Sequence, residues 1–269
     1  MNKTIGFVGA GNMGKAMIGG IIKSELVNPK NIIASVKHEE KLIELNREFG
    51  IKTTANSKEV AKLSDIIFLA VKPNIYDEVM NEIKSEINES KIIINIAAGK
   101  TIASIENVLG ENVKVVRSMP NTPSLVGEGM SSLCKNKNVS DDELLEIKSI
   151  FESFGKAEIL PENLIDSVIG VSGSSPAYVF MFIEALADGA VLGGMPRNMA
   201  YKFAAQAVLG SAKMVLETGI HPGELKDMVC SPGGTTIEAV RSLEKNGFKS
   251  AVVEAMSSCM EKSKEMSKK

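Results

Sequence analysis

The stretch that decides the fold is Thr4-Ile5-Gly6-Phe7-Val8-Gly9-Ala10-Gly11-Asn12-Met13-Gly14. A short apolar run enters a Gly-x-Gly-x-x-Gly triplet, and a helical pattern over residues 13–23 follows. In this setting the first glycine permits a tight turn, the second admits a pyrophosphate close to the backbone, and the third lets helix and strand pack closely. The helix N-terminus then faces the phosphates. Gly9, Gly11, Asn12, Met13 and Gly14 are therefore expected to bind a dinucleotide. A glycine-rich turn in a doubly wound fold that binds nothing is the structural alternative.

Outward from this stretch, short β-rich runs alternate with helical ones. Strands are expected at residues 5–8, 32–35, 66–71, 92–96 and 113–118, with helices at 13–23, 39–48, 57–63, 75–87 and 101–108. Several runs are almost wholly apolar, as strands buried on both faces are. The alternation predicts an α/β, Rossmann-type doubly wound parallel sheet. Residues 130–134 and 157–160 read as additional edge strands flanking a helix at 141–154. From about Pro161 the strand signal stops and helices follow, punctuated by Gly and Pro. The expected division is a dinucleotide-binding domain over 1–160 and an all-helical domain over 161–269 for substrate binding and dimerisation. Segments 176–194 and 197–218 are apolar on more than one face, more than about a hundred residues of helix can cover alone, so a second subunit is expected over them. The Lys-rich tail from Glu261 is expected to fray.

The 269 residues are 44% hydrophobic and 24% charged with a formal net charge of −2. That is an ordinary globular balance, with no basic field for nucleic acid or an anionic membrane. Glu184 and Asp188 sit mid-way in the longest apolar stretch, four residues apart, which argues against a membrane span. More often such a pair is hydrogen-bonded or water-facing within an oligomer than engaged in acid–base chemistry. Three scattered cysteines suit neither a disulfide framework nor a zinc spacing, and with an N-terminus that enters a strand directly they suggest a reduced cytoplasmic protein. Two histidines leave no His-rich metal site, and the methionines read as core filler.

The second strand ends Ser35-Val36-Lys37-His38, with no acid before Glu39. An NAD site usually carries an acid there, so Ser35 and Lys37 are candidates for a 2′-phosphate and NADPH is the expected cofactor, with NADH possible. A solvated Lys37 is the alternative. Three further loops follow strand ends, where open sheets bind ligands: Ala70-Val71-Lys72-Pro73-Asn74, Ala97-Ala98-Gly99, which leaves room for a nicotinamide, and Met119-Pro120-Asn121-Thr122-Pro123. Far downstream, Ser231-Pro232-Gly233-Gly234-Thr235-Thr236-Ile237-Glu238 opens a helix whose first amides suit a carboxylate. Thr235 and Glu238 match the S/T-x-x-E capping box, which would occupy Thr235 and leave the Thr236 hydroxyl free.

Together with Ser172-Gly173-Ser174-Ser175-Pro176-Ala177-Tyr178, Pro196-Arg197 and His221-Pro222-Gly223-Glu224-Leu225-Lys226-Asp227, these motifs resemble pyrroline-5-carboxylate reductase over nearly the whole chain. The resemblance implies NAD(P)H-dependent reduction of 1-pyrroline-5-carboxylate to L-proline. It implies a cofactor site on residues 9–14, Asn56 and residues 70–73; Ser35, Lys37, Ala97 and Gly99, read from their strand-end positions, are expected beside it. It implies a substrate site on Ser231, Gly233, Gly234, Thr235 and Thr236, with Asn121 beside them, and a homodimer of interlocked helical domains. Ser175 departs from the family's usual glycine; before Pro176 it is expected to cap a helix. A protonated iminium is already electrophilic, so a positioned hydroxyl, Thr236, or water suffices near the nitrogen. Lys72 either acts chemically or holds cofactor or water. Two other readings stand beside this one: a β-hydroxyacid dehydrogenase, which wants a catalytic lysine such as Lys202 or Lys213 on a C-terminal helix, and a non-enzymatic NADP-binding redox sensor. The first leaves the Pro-Gly-Gly-Thr-Thr loop unexplained.

Overall fold

The protein is described over residues 1–267 from a computed structural model. It divides into two compact units, Met1–Ser174 with the segment from Cys259 onward, and Ser175–Ser258.

The first unit is built on one eight-stranded sheet. In chain order its elements are β1 (Ile5–Val8), α1 (Asn12–Lys23), β2 (Ile32–Ser35), α2 (Glu39–Phe49), β3 (Lys52–Thr54), α3 (Ser57–Leu63), β4 (Ile66–Leu69), α4 (Tyr76–Ile83), β5 (Ile92–Asn95), α5 (Ile102–Leu109), β6 (Lys114–Met119), β7 (Gly129–Lys135), α6 (Asp141–Glu152), β8 (Gly155–Ile159) and α7 (Ile165–Val168). The strand order is β3-β2-β1-β4-β5-β6-β7-β8. All neighbours are parallel except β6 and β7. Alternate residues of the central strands feed two cores. Ile5, Phe7, Ile66 and Phe68 join α1 and α6 on one face; Val8, Ile67, Leu69 and Ile93 join α4 and α5 on the other. Phe7 stacks on Phe68 with centroids 4.7 Å apart, and Phe151 closes the cluster at 5.8 Å. Burial on both sides explains the solid apolar runs in the sequence.

The chain passes from β3 at one edge back to β4 beside β1. That reversal between β1 and β4 is the topological switch point, and the carboxyl ends of these strands flank a crevice.

The second unit is helical: α8 (Ser175–Leu192), α9 (Arg197–Thr218), α10 (Pro222–Val229), α11 (Thr235–Lys245) and the first part of α12 (Phe248–Ser267). Within α8 and α9 only Ala187, Ala200 and Ala204 are buried. Phe180 is 63% exposed, Leu192 91% and Leu216 84%. The run Glu162–Leu192 is long and apolar enough to cross a membrane by length and composition, but Glu184 and Asp188 interrupt it.

The structure differs from the expectations at several points. β3 is an additional strand, three residues long and polar, so its apolar signal is absent. Residues 129–135 form an interior strand, paired on both sides, and only β8 lies at that edge. The compact sheet unit runs on to Ser174, because Ile165 and Ile169 are buried in its core. Glu162 also accepts from Arg117 Nη1 at 2.9 Å and from the Ile102 amide at 2.8 Å. Finally, the C-terminal segment does not fray: α12 runs to Ser267, and buried Ser263 donates to Asp166 at 2.6 Å. Lys268 and Lys269 lie outside the described residues. α8 begins at Ser175 itself, one residue earlier than a capping role would place it.

Candidate dinucleotide and substrate sites

β1 ends at Val8 and the chain turns at Gly9, whose φ of +90° is left-handed. A Cβ there would lie 2.7 Å from both the Ala70 carbonyl oxygen and Val71 Cγ1, so only glycine fits. At Gly11 a Cβ would meet nothing within 4 Å. The space there is open crevice, as a phosphate approaching the backbone requires. Gly11 is also the N-cap of α1 and gives it no side-chain cap, which leaves first-turn amides available to an anion. At Gly14 a Cβ would come 3.2 Å from the Gly9 carbonyl oxygen, so this glycine serves close packing of helix on strand.

A cavity of about 290 Å³ opens outside the carboxyl ends of β1, β2 and β4. Gly9, Ala10 and Gly11 line one side; Ser35, Val36, Lys37, His38 and Lys41 line the end of β2 and the start of α2. Ala55 and Ser57 close the base, and Ala70, Val71, Lys72, Ile75 and Val79 form the opposite wall. Of the expected cofactor residues, the cavity therefore joins Gly9, Gly11, Ser35, Lys37, Ala70, Val71 and Lys72. The remainder stand apart from its lining. Asn12 is exposed, and Met13 packs against the core. Asn56 caps α3, its Oδ1 accepting from the Lys58 amide at 2.9 Å. Pro73 begins a 3-10 turn after Lys72. Ala97 is buried, and its amide donates to Asn95 Oδ1 at 2.9 Å. Gly99, with φ +78°, lies under α12, where an added Cβ would sit 2.9 Å from Met266 Cβ.

Sequence reasoning missed Val36, His38, Lys41, Ala55, Ser57, Ile75 and Val79. His38 is the N-cap of α2, which puts Lys41 in its first turn; a better reading of that helix start would have found it. It also missed the buried pair behind the crevice. The Tyr76 hydroxyl lies 2.6 Å from the Leu69 carbonyl oxygen and 2.8 Å from Asn95 Oδ1, while Asn95 Nδ2 donates to the Lys100 carbonyl at 2.7 Å. Burial pushes the Tyr76 phenol far above its usual range, so it stays neutral and holds the ends of β4 and β5.

These residues fit a nicotinamide dinucleotide. The glycine turn and uncapped α1 suit its pyrophosphate, and a buried serine hydroxyl with two lysines suits a phosphorylated ribose. Lys72 lines the cavity, exposed, and forms no ion pair among the described residues.

In the helical unit, α11 starts at Thr235 with Gly234 as N-cap. The capping box on Thr235 is therefore not formed. Gly233 turns with φ +67°, the Gly234 amide donates to the Ser231 carbonyl at 3.0 Å, and a Cβ on Gly234 would lie 2.4 Å from Ser231 Oγ. This tight turn fixes the helix start one residue before the box requires. Glu238 pairs with Arg241 at 2.9 Å instead. Thr235 and Thr236 are thus the first two helical residues, at an N-terminus with no side-chain cap.

Asn121, expected at the substrate, is buried and braces backbone: Nδ2 donates to the Ser172 carbonyl at 3.0 Å and Oδ1 accepts from the Met130 amide at 2.8 Å. Each of its two polar atoms thus makes one bond to backbone. Asp188 pairs with Arg197, whose guanidinium lies 5.6 Å from the Tyr201 ring centroid, and Glu184 is exposed.

Comparisons with known proteins agree along the chain. Residues 162–266 match the family model described as pyrroline-5-carboxylate reductase dimerisation. Residues 4–99 match one described as NADP oxidoreductase coenzyme F420-dependent. The chain is 57% identical to the pyrroline-5-carboxylate reductase of Escherichia coli K12 over 268 residues, covering 100% of each. Its structure is similar to that of Plasmodium falciparum pyrroline carboxylate reductase with NADP bound, with a TM-score of 0.91 at 36% identity, covering 99% of this chain and 98% of that one. The Coxiella burnetii pyrroline-5-carboxylate reductase gives 0.93 at 33% identity, covering 100% of both. The chain belongs to the pyrroline-5-carboxylate reductase family.

Proposed function

We infer that this chain reduces 1-pyrroline-5-carboxylate to L-proline, the last step of proline biosynthesis, using NADPH in preference to NADH. The observation that carries the reading is the open glycine crevice at the β1–β4 switch point, in a chain 57% identical end to end to the E. coli reductase. When bound, the nicotinamide would supply a hydride to the carbon of the protonated imine, the C=N electron pair going to a nitrogen that already carries its proton. The protein supplies the rest. Gly9, Gly11 and the first amides of α1 hold the pyrophosphate, and Ser35, Lys37 and Lys41 hold the phosphorylated ribose. Lys72 faces the same cavity and holds cofactor or water there. The uncapped N-terminus of α11, with Gly233, Gly234 and Ser231, takes the substrate carboxylate, and the Thr236 hydroxyl serves the ring nitrogen.

The working form is a homodimer in the cytoplasm. Support comes from the exposed apolar faces of α8 and α9 and from the dimerisation model matched over residues 162–266. Those faces suit a second copy better than a lipid phase, since Glu184 and Asp188 interrupt them.

The test is to mix purified protein, NADPH and pyrroline-5-carboxylate and follow loss of the reduced-nicotinamide absorbance alongside proline formation. Turnover to proline is expected, with kcat/KM higher for NADPH than for NADH. No substrate-dependent oxidation with either cofactor would overturn the activity; a clear NADH preference would overturn the roles of Ser35 and Lys37.

A further inference from the structure

The cavity at the switch point is basic on one wall and has an acid above the other. Lys37, His38 and Lys41 line it from the end of β2 and the start of α2, while Ile75 and Val79 line it from the α4 side. Glu78 stands between those last two in sequence, on α4, and its Oε1 lies 3.6 Å from Lys37 Nζ. Its neighbour Asp77 is already paired with Lys100 at 2.8 Å. The carboxylate that reaches Lys37 is thus Glu78, from the wall facing the lysine's own.

We propose that Glu78 is a specificity-determining residue for the cofactor. It holds Lys37 across the ribose end of the crevice and sets how strongly a 2′-phosphate is preferred over a bare ribose hydroxyl. The inference rests on the dinucleotide reading of this cavity. The side chains of Lys37 and Glu78 are 71% and 67% exposed, so the pair contributes little to folding. It acts on the ligand instead. A lysine ammonium is a point charge on a flexible stem and pairs with whichever anion is nearer. A phosphate monoester, carrying roughly −1.5 to −2 charges at neutral pH, must take Lys37 from Glu78. An unphosphorylated ribose makes no such demand. Glu78 therefore weakens NADPH binding and leaves NADH binding alone, which narrows the discrimination that Ser35, Lys37 and Lys41 would otherwise produce.

The experiment titrates the intact protein with NADPH and with NADH, separately and without substrate, following nicotinamide fluorescence. Wild type, Glu78→Gln, Glu78→Lys, Lys37→Gln and the Lys37→Gln/Glu78→Gln double variant are compared at low and high salt. Glu78→Gln should tighten NADPH about threefold to fivefold at low salt, the upper scale of one exposed ion pair. Glu78→Lys should tighten it further. NADH should stay within about twofold, the gain should shrink in high salt, and it should vanish in the Lys37→Gln background. The proposal is overturned if Glu78→Gln leaves NADPH unchanged or shifts both dinucleotides by one factor. It is also overturned if the gain persists without Lys37. A wild-type protein that binds neither dinucleotide fails differently: that result overturns the cofactor reading of the cavity, on which this inference stands.

Discussion

The two compact units handle apolar residues in opposite ways. In the sheet unit Phe7, Phe68, Phe151 and Phe154 are fully buried and touch one another. In the helical unit Phe180, Phe203, Leu192 and Leu216 face outward. A monomeric surface rarely carries so much contiguous apolar area without a partner. The first unit closes its own core. The second leaves apolar faces of α8 and α9 exposed, a composition that suits a surface covered by another.

The sharpest way to break this comparison is to charge the uncovered face. Phe180→Asp combined with Phe203→Asp should abolish assembly and lower turnover by more than about a hundredfold, because an unpaired buried charge is far costlier than a lost contact. NADPH binding by the sheet unit should survive. Light scattering, steady-state kinetics and a dinucleotide titration measure the three. An active, stable monomer would show that the helical unit needs no cover.

A smaller effect is expected at the α11 N-terminus. With Gly234 as the cap, neither threonine is occupied in holding the helix start. Thr236→Ala should lower kcat/KM by roughly tenfold to a hundredfold, about 1.4–2.7 kcal/mol of transition-state stabilisation, with NADPH affinity unchanged. Thr235→Ala should change stability by less than about 0.5 kcal/mol, where a capping residue would cost about 1. Wild-type kinetics in Thr236→Ala would remove that hydroxyl from the reaction.

The smallest effect tests how self-contained the sheet unit is. At the start of α6, Ser140 Oγ accepts from the Glu143 amide at 3.2 Å and Glu143 Oε2 accepts from the Ser140 amide at 3.0 Å. Ser140→Ala should cost about 1 kcal/mol by denaturant unfolding. Burial alone would raise the Glu143 carboxyl, but the hydrogen bonds and charge of Lys114 and Ser140 outweigh it and hold the group below its usual range. The folded value is the lower one. Its contribution is therefore full above the unfolded carboxylate range and is lost as pH falls through the folded value. The gap between wild type and Ser140→Ala should accordingly narrow in acid. A gap independent of pH would mean that the serine acts without the carboxylate.

Legibility followed the same division. The central strands were readable because burial on both faces demands solid apolar runs, and Gly9 because one φ and one close approach exclude every other residue. β3 was not readable: it is short, polar and lies at the edge, where pairing alone makes it a strand. Half of the expected cofactor residues line the cavity and half do not. Sequence shows which loop a residue belongs to, while whether it reaches the cavity depends on neighbours such as Lys58 for Asn56 or Met266 for Gly99.

By itself the sequence determined the doubly wound class, the glycine crevice and the helical second half with its excess of apolar surface. These are properties of local periodicity and of single backbone conformations, which a chain carries wherever it folds. Only the tertiary structure decided that Gly234 rather than Thr235 caps α11, that Asn121 braces backbone, that the C-terminal helix returns to the sheet unit, and that Glu78 reaches Lys37. Each is a choice among partners that local sequence leaves open. Hydrogen bonds and charges form with whatever group the fold brings within about 3–4 Å, and that group here lies as far as 143 residues away along the chain, as Glu146 does from Lys3.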